Sequence, residues 1–221
     1  MEQPTASPRL TSLLGFNAGY VDTAGFLALN GLFTAHVTGN FVTLAASLVH
    51  GTNGALAKLS ALPVFCVLVV LSRLTRSVGG LMATKIVLLA AAAVLMIAYG
   101  PFPDSDAGPA FAAGMLLVAA MSVQNAVQRM YLTSAPPSTL MTGTTTQIML
   151  DLADLLRGAD SAARTAAWAR LRKMVPAVLV FAAGCAAAAL AYVWMGMWCF
   201  ALPPAVAAMA AMAMDSGPCG A

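Results

Sequence analysis

The chain has 221 residues, 60% of them hydrophobic and 9% charged, against roughly 25% charged in an ordinary soluble domain. That balance excludes a soluble globular fold. The net charge of +3 comes from cations set beside apolar runs rather than along a solvated stripe, which excludes a nucleic-acid partner and leaves the lipid bilayer as the expected surroundings.

In chain order, residues 1–8 carry Glu2 and no cluster of Lys or Arg, so no removable signal peptide is expected. Apolar runs follow at 10–29, 59–71, 86–99, 110–123, 175–193 and 195–214. A span needs about 20 residues, so several runs must borrow from their flanks. Six spans use roughly 120 residues, which leaves room for two shorter embedded segments at 34–49 and 139–156. The expected fold class is therefore an all-α polytopic membrane protein with about six transmembrane helices plus two broken or re-entrant segments. It would form a single membrane domain over 1–221, with half-repeats at 10–103 and 104–214.

Charge placement predicts orientation. Arg73, Arg76 and Lys85 flank one connection, and Arg157, Arg164, Arg170, Arg172 and Lys173 crowd another, while the connection 100–109 holds only Asp104 and Asp106. The excess of Lys and Arg on cytoplasmic loops puts both basic connections inside and the acidic one outside. The second basic connection stays inside only if 139–156 enters and leaves on one side. Three crossings per half then reverse the second half, giving an inverted 3+3 repeat with both termini cytoplasmic. Eight full spans with parallel repeats are the alternative, and they strain the charge rule. Within the second basic connection, 161–173 carries Trp168 and Leu171 among its cations, the pattern of a membrane-surface helix or of a solvated topological loop.

Two polar clusters interrupt the apolar sequence. The first is Gly19-Tyr20-Val21-Asp22 followed by Thr38-Gly39-Asn40; the second is Ser122-Val123-Gln124-Asn125 followed by Thr142-Gly143-Thr144. Polar, glycine-containing segments are costly in hydrocarbon unless they line a cavity or pack into protein. Asp22 lies inside the apolar stretch 10–32, where an acidic side chain usually faces a partner or a wet cavity. Gly15 and Gly19 form a smooth strip for close helix approach, and Asn30-Gly31 offers a helix stop. Thr38 or Asn40 is expected to cap the helix that follows. Pro136-Pro137 and the threonines after it supply the second break.

His36, Gln128 and Arg129 are secondary candidates: a lone His near a break, a polar strip with Gln124 and Asn125, and a cation at the inner edge. No metal and no cofactor are expected, because Cys66, Cys185, Cys199 and Cys219 lack ligand spacing and read as small packing residues. Asp151 and Asp154 are expected beside Arg157 at the interface.

The run Gly19-Tyr20-Val21-Asp22-Thr23-Ala24-Gly25-Phe26-Leu27, with Gly31, Phe33 and Thr38-Gly39-Asn40, resembles the YoaK-like bacterial membrane proteins, a domain-of-unknown-function family (DUF1275). Gln124-Asn125-Ala126 and Thr142-Gly143-Thr144 resemble that family's later motif, with Ser122 where the pattern has Gly. The resemblance implies a small inner-membrane protein and assigns no activity. The residues themselves point to a small secondary transporter of a polar solute or ion, with Asp22 as the coupling group and Thr38, Gly39, Asn40, Gln124, Asn125, Thr142, Gly143 and Thr144 around it. A channel or a structural or sensing protein is the alternative. An intramembrane enzyme fits less well, since no nucleophile motif or metal-binding helix is present. Small-residue strips make a homodimer plausible.

Overall fold

The computed structural model describes residues 7–75, 77–139 and 141–215. The expectations resting on Glu2, Arg76 and Cys219, and the Leu140 position within the second partial segment, lie outside those residues. Among the described residues the chain is helical throughout, in the order α1 (Pro8–Ala28), α2 (Asn40–His50), α3 (Ala55–Leu74), α4 (Val78–Tyr99), α5 (Gly108–Tyr131), α6 (Met141–Leu156), α7 (Ser161–Met195) and α8 (Leu202–Asp215). Short 3₁₀ turns at Val37–Gly39 and Gly196–Ala201 lead into α2 and α8. Among the described residues, four helical stretches are long and apolar enough to cross a membrane: Ala55–Leu74, Val78–Tyr99, Gly108–Tyr131 and the run Ser161–Met214. Their outward faces carry exposed apolar side chains, among them Leu59, Val67 and Val70 on α3 and Leu179, Leu190 and Val193 on α7, the surface a lipid environment stabilises.

Local chemistry sets the helix ends. The Ser7 hydroxyl accepts from the Leu10 N–H at 3.2 Å and Pro8 occupies the first turn of α1, where its missing N–H costs nothing. The helix stops at Asn30 and Gly31, both with positive φ (50° and 83°), as the Asn-Gly pair predicts. Asp160 caps α7 by accepting from the Ala163 N–H at 2.7 Å. The stretch 161–173 is the opening of the 35-residue α7. At 1.5 Å per residue α7 measures about 50 Å, well beyond a hydrocarbon core of about 30 Å, so its basic first turns extend past the apolar part.

The helices pack in a regular pattern. Helix α1 bears on α7 and α8, and α5 bears on α3 and α4; α2 lies on α3 and α6 lies on α7. The α1–α7 crossing is the closest. A Cβ added at Gly19 would collide with the Phe181 carbonyl oxygen, and one at Gly184 with the Phe16 carbonyl oxygen. Two helix backbones touch there through reciprocal glycines, the approach that small residues permit. The smooth strip read from Gly15 and Gly19 is thus used within one chain.

Two charged residues differ from their expected setting. Lys85 does not flank the basic connection but sits in the interior of α4, fully buried, because Gln124 of α5 offers its Oε1 at 2.6 Å. Asp151 pairs with Arg170 of α7, not with Arg157: the guanidinium donates to both carboxylate oxygens, at 2.6 Å to Oδ1 and 2.9 Å to Oδ2. The geometry is the two-pronged one that Arg makes with a carboxylate, and it fastens α6 to α7.

Gly19→Val and Gly184→Val are each expected to lower stability by about 1–3 kcal/mol or more through overpacking against backbone. Gly143→Ala, at a position where an added Cβ meets nothing within 4 Å, is expected to stay within about 0.5 kcal/mol of wild type. Thermal unfolding in detergent measures both.

Candidate functional site

Residues 29–39 cannot form helix at Asn30-Gly31, so their N–H groups must find partners other than the helical carbonyls. Asp22, two turns back inside α1 and 5% exposed, supplies them. Its Oδ1 accepts from the backbone N–H groups of Thr34 (2.8 Å), Ala35 (2.7 Å) and His36 (3.4 Å), and from the Thr34 hydroxyl (3.4 Å). Its Oδ2 lies 2.6 Å from Nδ1 of His36. Three successive N–H groups converging on one oxygen form an anion-binding nest, here filled by the chain's own carboxylate. Oδ1 is thus shared among the loop's donors, while Oδ2 faces the imidazole.

Asn40 closes the same loop. Its Oδ1 accepts from the Phe33 N–H at 2.9 Å and its Nδ2 donates to the Phe33 carbonyl at 2.8 Å, mimicking a two-way backbone pair. The expected capping of α2 by Thr38 or Asn40 therefore does not occur: the cap position is Gly39, with no side-chain bond. Gly39 lies under the Phe33 ring, whose Cδ2 would be 3.0 Å from an added Cβ. Thr38 faces an adjoining cavity.

The second break uses amides instead of a carboxylate. Gln128 accepts at Oε1 from the Ser138 N–H (2.9 Å) and hydroxyl (2.5 Å), and donates from Nε2 to the Pro136 carbonyl (2.7 Å). Gln124 donates to the Ser138 hydroxyl (3.0 Å) and to the Leu14 carbonyl of α1 (2.9 Å) while accepting from Lys85. Asn125 accepts from the Thr139 hydroxyl at 2.8 Å. Asp22 reaches His36, fourteen residues on, and Asn125 reaches Thr139, also fourteen residues on.

The two breaks meet at one cavity. The His36 ring, one-third exposed, is held by Asp22 on one side, and Thr139 of the other break lines the same cavity as the ring. Phe181 of α7 stands edge-on to it, 5.5 Å between ring centres. A cavity of about 460 Å³ opens beside the ring, bordered by Thr38, Asn125, Arg129 and Thr139.

The sequence candidates thus separate. Asp22, His36, Thr38, Gly39, Asn40, Gln124, Asn125 and Gln128 gather around the two breaks, and Arg129 lines the cavity at the end of α5. Thr142 and Gly143 are exposed in the first turn of α6, and Thr142 faces a separate open recess with Thr145 and Thr146; Thr144 is buried. Sequence reasoning missed Ser138, the hub of the second break, and the role of Lys85. The signal for Lys85 was a single cation seven residues inside a helix-long apolar stretch. Ser138 had none, being one hydroxyl residue among many after two prolines.

Removing the Gln128 amide strands the buried Ser138 N–H. Gln128→Ala is expected to cost about 1–3 kcal/mol, the penalty of an unsatisfied buried donor. By the same argument Gln124→Leu, which leaves buried Lys85 without its acceptor, should cost more than Lys85→Met, and the double variant should recover part of the loss. Chemical denaturation of the four proteins in micelles measures the cycle.

A family model described as protein of unknown function (DUF1275) matches residues 10–213. No curated protein and no solved structure matches the chain. The chain belongs to the DUF1275 family, the one its motifs resemble.

Proposed function

We propose that this DUF1275 protein is a small secondary transporter of the bacterial inner membrane, carrying a small polar solute through a site built from both breaks. The observation that carries the reading is the cavity shared by the two breaks, bordered by the His36 ring, which Asp22 of the first break holds, and by Asn125 and Thr139 of the second. Non-helical backbone at membrane depth is tolerated where it lines a cavity or is buried in protein, and such breaks are where transporters hold their solutes. Asp22 and His36 form the coupling pair in this reading, since a proton taken up or released by the pair changes the charge that the cavity meets.

The proposed architecture is six crossings, α1, α3, α4, α5, α7 and α8, with α2 and α6 entering and leaving on one side. Support comes from the first break. The Asn30 side chain accepts from the Ser105 N–H at 2.8 Å, and Asn53, beyond α2, donates to the Pro103 carbonyl at 3.2 Å. Both ends of 30–53 therefore return to the same connection, the acidic one, where Asp106 also accepts from the Leu56 and Ala57 N–H groups at the start of α3. Three crossings on each side of that connection give an inverted 3+3 repeat within one membrane domain, halves 10–103 and 104–214, with cytoplasmic termini. A homodimer would use faces other than the Gly19 strip, which α7 occupies.

The reading is of a carrier rather than an enzyme. An Asp–His pair is half of a nucleophile-activating set, yet the Thr139 hydroxyl that borders the same cavity donates to Asn125 and not to this ring. A channel would use the same groups as a constriction. A second reading, a structural or sensing protein, draws on a specific observation: Asp22, Asn40 and Gln128 spend their polar atoms on their own breaks. That reading expects Thr38→Ala, Asn40→Ala and Thr142→Ala to lower thermal stability together, with no separable loss of ligand response.

Asp22→Asn is expected to abolish solute-driven proton flux in proteoliposomes loaded with a pH-reporting dye while leaving reconstitution unchanged. Flux that survives in this variant defeats the coupling role. Cysteines placed across 157–173 are expected to label only from the cytoplasmic side; labelling from outside intact cells defeats the six-crossing arrangement.

A further inference from the structure

The cavity beside His36 has a charge that the two breaks do not account for. Arg73, in the last turn of α3, and Arg129, in the last turn of α5, both line it. Among the described residues neither guanidinium has an ion-pair or hydrogen-bond partner. Among the described residues no Asp or Glu lines the cavity, and Asp22 stands behind the His36 ring at 2.6 Å. The C-terminal ends of α3 and α5 on their own repel an anion, so the two guanidiniums give this cavity its sign.

The remaining lining separates into two parts. Asn125, Thr38 and Thr139 put amide and hydroxyl groups near the His36 end, whereas Leu62, Phe65 and Val69 form an apolar wall along α3. Its volume of about 460 Å³ lies within the range of about 300–1,000 Å³ typical of small-molecule sites. A small inorganic anion would engage the guanidiniums and leave the apolar wall to water. A neutral solute would suit the wall and leave two cations unpaired. A carboxylate with an apolar body satisfies both, because its two oxygens match the planar fork of Arg.

We propose that this cavity binds a small organic carboxylate, held by Arg73 and Arg129 with its apolar body against Leu62, Phe65 and Val69. The position of Arg73 and Arg129 at the ends of α3 and α5 makes the basic side of the molecule the mouth. That such a carboxylate is the transported solute rests on the transporter reading above; the binding site itself does not.

The test uses the full chain purified in a neutral detergent, with benzoate as the probe and benzamide as its uncharged counterpart, followed by titration calorimetry and thermal shift. Benzoate is expected to bind and to raise the melting temperature, benzamide to do neither, and inorganic phosphate to compete poorly. Arg73→Gln and Arg129→Gln should each weaken benzoate by about tenfold or more, the scale of losing a charge-assisted hydrogen bond. Arg157→Gln, exposed on the α6–α7 connection and away from the cavity, should bind as wild type. The site is overturned by absence of benzoate binding, by equal binding of benzamide, by phosphate competing as well as benzoate does, or by wild-type affinity in both cavity variants. Benzoate binding without flux in proteoliposomes overturns the transporter reading and leaves the site standing. Proton-coupled flux of a neutral solute without benzoate binding does the reverse.

Discussion

Backbone that leaves the helix where water is scarce must bring its own hydrogen-bond partners, and that requirement organises this molecule. Residues 34–36 expose three N–H groups in succession, and the carbonyls of neighbouring helices already accept from N–H groups within those helices. A carboxylate answers with acceptors only. Asp22 places one oxygen at the focus of the three and keeps the other for His36. The first loop is therefore fixed to α1 by the side chain that the sequence marks as the anomaly of that helix.

The second loop has a different need, and it selects different side chains. Between Pro136 and Ser138 the chain presents a carbonyl as well as an N–H and a hydroxyl, so its partner must both donate and accept. Gln128 does so with one amide, and Gln124 links the same serine to α1 and to Lys85. The exchange of Asp22 for Asn125 between the halves is thus more than the loss of a charge. Asn125 accepts from the Thr139 hydroxyl and donates to the Met121 carbonyl, so its amide serves a donor and an acceptor where the Asp22 carboxylate serves donors alone.

Much of this was legible from residue types. Apolar runs located the long helices, and Asn30-Gly31 and Pro136-Pro137 located the breaks, because these features act over a few residues and need no tertiary partner. Asp22 was legible as a site because an acid in an apolar stretch demands a partner somewhere. Its partner was not, since the three N–H groups lie twelve to fourteen residues on and converge only after the chain doubles back. Lys85 was misplaced for the same reason. A cation near a helix start reads as an interfacial anchor until Gln124, on another helix, is known to face it. Thr142 and Gly143 belong to the recurring motif, yet in the structure both are exposed while Thr144 is buried, and the loop before them carries the contacts to Gln128 and Asn125. Sequence recurrence marked the position of the second break but not which of its residues turn inward.

The strengths of these contacts also say where the molecule would part. Asp22 binds its loop through several hydrogen bonds, and Gln128 with Asn125 does likewise for the second, so each loop travels with the helix that precedes it. Between the loops lies the cavity that Arg73 and Arg129 line, with the His36 ring of one break and Thr139 of the other on its border. In the transporter reading proposed above, relative motion of the two breaks opens or closes that cavity. The ring, fixed to its own loop through Asp22, is then the side chain placed to register its occupancy, because filling or emptying the cavity changes the field at its edge.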